Sequence, residues 1–173
     1  MNALLMSRRA AVAALAATIA WPALARAEAA PAPGTRFRSI EVDVRPAREL
    51  GDDVVASWVA QDLPAALRRA FGAHLAPGDR NAPILRARID SITLGASDSL
   101  STMHGGASDD AMDFIEGAGV LVAANGREIA SYPLLCSLRA STRAPDPEGV
   151  GARQRATNLA QSFAQWLPGQ MGL

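Results

Sequence analysis

Residues 103–113, MHGGASDDAMD, concentrate the side chains of this chain that could do chemistry. The candidate metal ligands in it are His104, Asp109, Asp110 and Asp113. Hard oxygen ligands would suit calcium or magnesium, but the D-x-D-x-D-G spacing of a calcium loop is missing. One histidine also provides too few soft ligands for a zinc site. We therefore expect no metal or other cofactor, and we interpret residues 96–113 as a flexible loop rich in Gly, Ser and Asp.

The other reactive groups favour structural roles. The run of His104 and two glycines resembles the oxyanion loop of some lipases and esterases, but the G-x-S-x-G nucleophile elbow of those enzymes is absent from this chain. His74 is predicted to cap the last turn of the first helix. Cys136, the only cysteine, is predicted to be a buried and inert thiol. Asp52-Asp53 is interpreted as charge at a helix N-terminus. Because each of these groups has a structural explanation, we expect no catalytic residues.

The first 27 residues have the three-part layout of a cleavable export signal. A basic pair precedes an apolar stretch, residues 10–20, which is about eleven residues long, whereas a membrane-spanning helix requires roughly 20. Ala25 and Ala27 fit the A-x-A cleavage pattern, so we expect the mature chain to begin at Glu28. No stable membrane span is expected after cleavage.

The basic pair itself, Arg8 and Arg9, resembles the twin-arginine signal family, which carries already folded proteins across the inner membrane. That family usually has a bulky apolar residue two places after the pair, and this chain has Ala11 there, so the general secretory route stays open. No cysteine lies near the cleavage point, which excludes the lipoprotein mechanism. We expect a periplasmic protein that is soluble after cleavage.

Charge and length limit the partners and the domain organisation. The chain has 17 basic and 17 acidic residues, and removing residues 1–27 takes away three arginines and no acid, which leaves a formal charge of minus three. Nucleic acid, which requires clustered cations, is therefore not an expected partner. We expect residues 28–35 to be a disordered lead-in and residues 36–173 to form one domain.

Hydrophobic periodicity predicts three strand regions and two helices. The strand regions are residues 36–46, residues 83–95 with a β-bulge near Asp90-Ser91, and the hairpin GVLVAANGREIASYPLLCSL. The first helix is predicted over residues 52–75 and is kinked at Pro64, unless Asp62 caps the start of a second helix. The last helix begins at Asp146-Pro147-Glu148 and ends at Pro168. Asn125-Gly126 predicts a two-residue turn with positive φ angles. That turn places Val122 opposite Ile129 and Gly119 opposite Tyr132, with the tyrosine ring over the glycine.

These elements predict an α+β single domain in the order β-α-β-β-β-α, with a mixed sheet and two helices packed on one face. This order resembles the small α/β modules of envelope accessory proteins, such as the N-terminal domain of TolB and related lipoprotein modules. The resemblance covers about residues 36–168 and rests on element order. It implies a non-catalytic protein that docks onto an envelope protein partner through a sheet edge or an uncovered face.

Two other functions remain open from the sequence. One is a small periplasmic hydrolase or metal-dependent enzyme that uses the 96–113 loop as a lid or as a source of ligands. The other is a binder of small apolar ligands, because the alanine-rich helix faces could leave a gap against the sheet. The first expectation remains a periplasmic binding or accessory protein.

Overall fold

The computed structural model describes residues 34–95, 112–140 and 150–173. Its elements are β1 (Ser39–Asp43), α1 (Arg45–Glu49), α2 (Asp53–Ala70), a 3-10 turn (Gly72–His74), β2 (Ile84–Thr93), β3 (Met112–Val122), β4 (Glu128–Arg139) and α3 (Val150–Gln170). The predicted order of strands and long helices is confirmed. The short helix α1 was not predicted, because Pro46 was interpreted only as the end of a strand. In the fold Pro46 lies in the first turn of α1, where its fixed φ is compatible with a helix and its missing N–H costs nothing.

The four described strands form one mixed sheet in the order β1-β2-β3-β4. β1 runs parallel to β2 because α1 and α2 connect them, whereas β2, β3 and β4 are antiparallel neighbours. The three α-helices of the described ranges place their buried residues in one core cluster, together with side chains from a single face of the sheet. The predicted α+β fold with helices on one face is therefore confirmed.

The two long helices, α2 and α3, form the layer over that sheet face. Each contains a proline, and the predicted outcome at that proline, one continuous helix in α2 and a helix end in α3, is confirmed only in α2. α2 continues through Pro64, so one helix forms rather than two. α3 also continues past Pro168 to Gln170, so the prediction that Pro168 ends it was wrong. The fully buried side chain of Met171 and its backbone bond to Leu167 at 3.0 Å hold that last turn against the core.

The predicted bulge is confirmed: the register between β2 and β3 shifts between Ile89 and Ser91. The extra residue moves Ile92 onto the same core face as Ile89, which explains the phase slip of the apolar residues in the sequence.

The hairpin between β3 and β4 is one residue longer at its turn than predicted. Ala123 accepts a bond from Gly126 at 2.9 Å and donates one to Arg127 at 2.8 Å, and only Gly126 of the turn has a positive φ, 82°. This is a three-residue loop whose last residue is left-handed, a conformation that glycine adopts without strain. Val122 therefore pairs with Glu128 instead of Ile129, and a register shift between Leu121 and Val122 accommodates the extra residue.

Gly119 does pair with Tyr132, as predicted, but a different side chain lies over the glycine. A Cβ atom on Gly119 would lie 2.9 Å from Cδ1 of Leu167 on α3. The missing side chain thus allows α3 to pack closely on β3. The predicted helix start at residues 146–148, the signal at residues 1–27 and most of the lead-in lie outside the described residues.

Candidate functional site

The residues first considered as metal ligands are only partly within the described chain. His104, Asp109 and Asp110 lie outside it, and Asp113 is the second residue of β3. Within residues 34–95, 112–140 and 150–173, no group of three or more His, Cys, Asp or Glu side chains is arranged to hold a metal ion.

Asp113 is instead the centre of a buried ion pair. Its side chain is 3% exposed, and its Oδ2 accepts a bond of 2.8 Å from Nε of Arg155 on α3. Nη2 of Arg155 donates to Oδ1 of Asp113 and to the Gly95 carbonyl, the latter at 2.7 Å, while the Gly95 N–H donates to Oδ1 at 3.0 Å. Both carboxylate oxygens are therefore engaged. The hydrogen bonds to Asp113 raise the pKa of Arg155 above its ordinary value.

The ion pair between Asp113 and Arg155 joins the two ends of the predicted loop, and it was not predicted from the sequence. Gly95 directly precedes the predicted loop, residues 96–113, and Asp113 is the last residue of that range, so a single arginine of α3 bonds to both ends of the predicted loop. An isolated aspartate and an isolated arginine 42 positions apart give no pattern from which the pair could have been found. The geometry assigns Asp113 a structural role as the acceptor for Arg155.

A second polar cluster joins the two long helices. Asp62 of α2 accepts bonds from Nη2 of Arg153 at 3.0 Å and from the hydroxyl of Thr157 at 2.7 Å, both on α3. The Arg153 guanidinium carbon also lies 5.9 Å from the centre of the Trp58 ring, a distance compatible with a cation–π contact. Asp62 therefore fixes the contact between α2 and α3 rather than capping a second helix.

His74 packs among aromatic rings. α2 ends at Ala70, so His74 falls in the following 3-10 turn and not in the last turn of that helix as predicted. Its ring centroid is 6.3 Å from that of Phe37 and 6.5 Å from that of Phe71, and its Nδ1 lies 3.2 Å from the Thr35 carbonyl oxygen. This environment is that of a packing residue, and no other candidate catalytic group lies among these contacts.

The remaining predicted groups lie where expected. Cys136 is fully buried in the main core, and burial raises the pKa of its thiol to about 11. Since the thiolate is the reactive form, this thiol is a poor nucleophile at neutral pH. Asp52 and Asp53 lie at the start of α2, where acidic charge favours the helix dipole.

The sheet face opposite the helices, called here the outer face, is divided into a charged half and an apolar half. On β1 and β2, Arg86 donates to Glu41 at 3.0 Å and Arg88 to Asp90 at 2.7 Å. Asp43 accepts two side-chain bonds from Arg45, and this hydrogen bonding lowers the pKa of Asp43 to about 2. The charged half is thus mostly neutralised by its own ion pairs.

The apolar half lies on β3 and β4. Ala118, Val120 and Val122 form a second hydrophobic cluster with Ile84, separate from the main core; we call these four residues the valine cluster. Beyond it along the same face, Phe114 is 38% and Leu135 is 61% exposed. No described helix packs over this half of the outer face, because the buried residues of all three helices belong to the main core.

Two depressions lie on opposite surfaces. One, of about 220 Å³, is on the outer face and is lined in part by Arg88, Asp90, Glu116 and Leu135. The other, of about 430 Å³, is an open groove between α2 and α3, lined by Ala66, Arg69, Ala70 and Ala164 among others. Among the described residues, the alanine-rich faces of α2 and α3 thus leave a groove between the two helices.

None of the helices in the described ranges has the length and apolar character needed to cross a membrane. The chain matches no protein-family model, and no curated protein is significantly similar to it.

Proposed function

We propose that this chain is an exported, non-catalytic binding or accessory protein of the bacterial cell envelope, and that its outer face docks onto an envelope protein. The observation that carries the proposal is the apolar half of that face, where the side chains of Phe114 and Leu135 are 38% and 61% exposed beside the buried valine cluster. Apolar side chains grouped on one face of a small domain are typical of interaction surfaces.

The sequence of β4 supports docking through the face of the sheet rather than through the β4 edge. Among the described strands β4 lies at one edge of the sheet, beside β3, and Pro133 lies near the middle of β4. A proline in an edge strand cannot donate a backbone hydrogen bond and discourages a further strand from pairing there. A partner that uses the face avoids this restriction.

The export part of the proposal rests on residues 1–27, in which the basic pair, the apolar stretch and the A-x-A pattern occur in the order of a signal. A periplasmic location gives the mature chain access to envelope proteins. The polar residues that are grouped in the described chain, Asp113, Asp62 and Arg155, form contacts that hold the helices and strands together. Because these groups have a structural use, their arrangement supports a binding role rather than a catalytic one.

The test is affinity purification of the mature protein from the periplasm of its source bacterium. A Leu135→Arg variant should lose the captured protein, because a charge would be placed in the apolar half of the outer face. A Val54→Arg variant is the matched control, since Val54 is 62% exposed but lies on α2. Circular dichroism of both variants checks that the fold is kept.

The proposal fails if Leu135→Arg and Val54→Arg capture the same proteins in the same amounts as the unchanged chain. It also fails if the purified mature protein turns over substrates in broad panels of esters, phosphates and glycans.

A further inference from the structure

We propose that the outer face recognises an arginine of its protein partner, which lies in the depression beside Leu135 and pairs with Glu116. The inference rests on the proposed docking function and names the chemistry of the partner's surface. The starting observation is the depression of about 220 Å³ on the outer face, which Glu116 and Leu135 line together. This space is smaller than a typical small-molecule pocket of roughly 300–1,000 Å³ and suits a single inserted side chain.

The β-bulge of β2 builds the polar side of this depression. Asp90 is the extra residue, because it is the one residue of β2 that pairs with no residue of β3. Owing to this insertion two consecutive residues reach the outer face: Asp90 lines the depression, and the Ser91 hydroxyl donates a long bond of 3.5 Å to Glu116. Gly117 also lines the depression, and a Cβ there would overlap the carbonyl oxygen of Arg88. The position of the polar groups is therefore set by the backbone of the sheet.

The depression carries one negative charge without a counter-charge. Asp90 accepts bonds from Arg88 at 2.7 and 3.2 Å, so these two side chains neutralise each other. Glu116 is exposed, and among the described residues it forms no ion pair and has only the long contact with Ser91. A positive charge from outside the domain is therefore the complementary group for Glu116.

The apolar side of the depression suits the stem of a long basic side chain. Leu135 lies directly opposite Glu116 in the register of β3 and β4, and it is 61% exposed. Opposite residues of antiparallel strands have Cβ atoms ~5 Å apart, so one side chain can contact both. Arginine places its methylene groups along apolar surface while its guanidinium meets a charged or wet position. Leu135 would thus contact the stem of the arginine and Glu116 its guanidinium.

The surroundings of Glu116 favour a protein segment over a free cation. Phe114, two positions earlier on the same face of β3, is 38% exposed, and the exposed Pro133 lines the depression. These residues offer apolar contacts to the neighbours of an inserted side chain, which a free cation does not have. A guanidinium bonds a carboxylate through two N–H groups at once, whereas the ammonium of lysine acts as a point charge. An arginine flanked by apolar side chains is therefore the group that fits this surface.

The first test is a titration of the mature protein with the blocked peptide acetyl-Leu-Arg-Leu-amide, followed by the backbone amide signals in NMR spectra. The control peptide has citrulline in place of arginine, which keeps the shape of the side chain and removes its charge. The arginine peptide should bind about fivefold more tightly, the effect of one exposed ion pair. The signals of Glu116 and Leu135 should shift, and that of Gln161, in the groove between α2 and α3, should not.

Matched variants assign the effect to one carboxylate. Glu116→Gln should remove the preference for arginine over citrulline. Glu41→Gln should keep it, because Glu41 is an exposed carboxylate of the same face that already pairs with Arg86 at 3.0 Å. Glu116→Arg should reverse the preference and bind acetyl-Leu-Glu-Leu-amide more tightly than the arginine peptide. Equal binding of the arginine and citrulline peptides overturns the proposal, and so does the absence of shifts at Glu116 with about 10 mM arginine peptide.

The partner assay distinguishes this inference from the proposed function. Capture that is lowered by Glu116→Gln and Leu135→Arg, but not by Glu41→Gln, supports both. Capture that Leu135→Arg abolishes and Glu116→Gln leaves unchanged, with equal binding of the two peptides, contradicts the arginine site and leaves the docking function standing. A peptide site that depends on Glu116, together with capture that none of these variants changes, supports the arginine site and contradicts the docking function.

Discussion

The guanidinium of Arg155 bonds to both oxygens of Asp113 inside the protein, where the aspartate side chain is 3% exposed and the arginine side chain 17%. The same guanidinium reaches the carbonyl of Gly95. The pair joins α3 to the end of β2 and the start of β3. An ion pair removed from water stabilises a fold only when both partners are present, because either charge alone is buried without compensation.

Loss of one partner of this pair should strongly destabilise the protein. We expect Arg155→Met to lower the free energy of unfolding by about 3–5 kcal/mol, because Asp113 is left buried without its counter-charge. Arg86→Met, which breaks the exposed pair with Glu41, should cost less than about 1 kcal/mol. Urea unfolding of the mature chain measures both. A double variant, Asp113→Leu with Arg155→Met, should be more stable than Arg155→Met alone; equal or lower stability would contradict this account.

Asp43 should contribute a small pH-dependent term to stability. Its pKa is about 2 in the folded chain against 3.8 in the unfolded one, so the contribution is present above pH 4 and is lost as pH falls through about 2. Because Arg45 is exposed, we expect less than about 1 kcal/mol. Unfolding measured at several pH values should show the unchanged chain and Asp43→Asn converging towards pH 2. A difference that stays constant from pH 5 to 2 contradicts the prediction.

The close approach of α3 to β3 should make Gly119 intolerant of a side chain. Gly119→Ala places a Cβ against Leu167, and we expect a loss of about 1–3 kcal/mol from overpacking. The control is Gly169→Ala in α3, where an added Cβ meets nothing within 4 Å and should not destabilise. Combining Gly119→Ala with Leu167→Val should recover part of the loss in thermal unfolding; no recovery would mean that Leu167 is not the obstacle.

The thiol of Cys136 should react only when the fold opens. Burial excludes the reagent and holds the pKa at about 11, so at pH 8 an aromatic disulfide reagent should react at least about 100-fold more slowly with the native chain than with the chain in 8 M urea. Absorbance of the released thiolate follows the reaction. Comparable rates in both states would show that the strand carrying Cys136 opens easily.

Much of the fold could be predicted from the sequence because its signals are local. The alternation of Ile40 and Val42 identified β1, and the phase slip after Ile89 identified the bulge. The turn after Ala123 was predicted one residue too short, because Asn125-Gly126 suits both a two-residue and a three-residue loop and only the hydrogen bonds distinguish them.

The polar contacts could not be predicted in the same way. Asp113 was considered as a metal ligand because its neighbours in sequence are acidic, whereas its partner in the fold, Arg155, is 42 positions away. The outer face was equally hidden: residues 117–122 of β3 read as a continuous run of glycine and apolar residues, and only the sheet register separates Leu121, in the main core, from Val120, in the valine cluster.

The cluster between α2 and α3 has a consequence for how long folding takes. Asp62 and Arg153 are 91 positions apart in the chain. The parallel strands β1 and β2 are also separated in the chain by α1 and α2, so the segment between them must form a closed loop before the strands pair. Contacts so distant along the chain require closure of large loops before they gain energy, which places folding in the range of about milliseconds to seconds. During that interval the strands have free edges, so the rate of collapse, and not final stability alone, determines how much of the chain escapes aggregation.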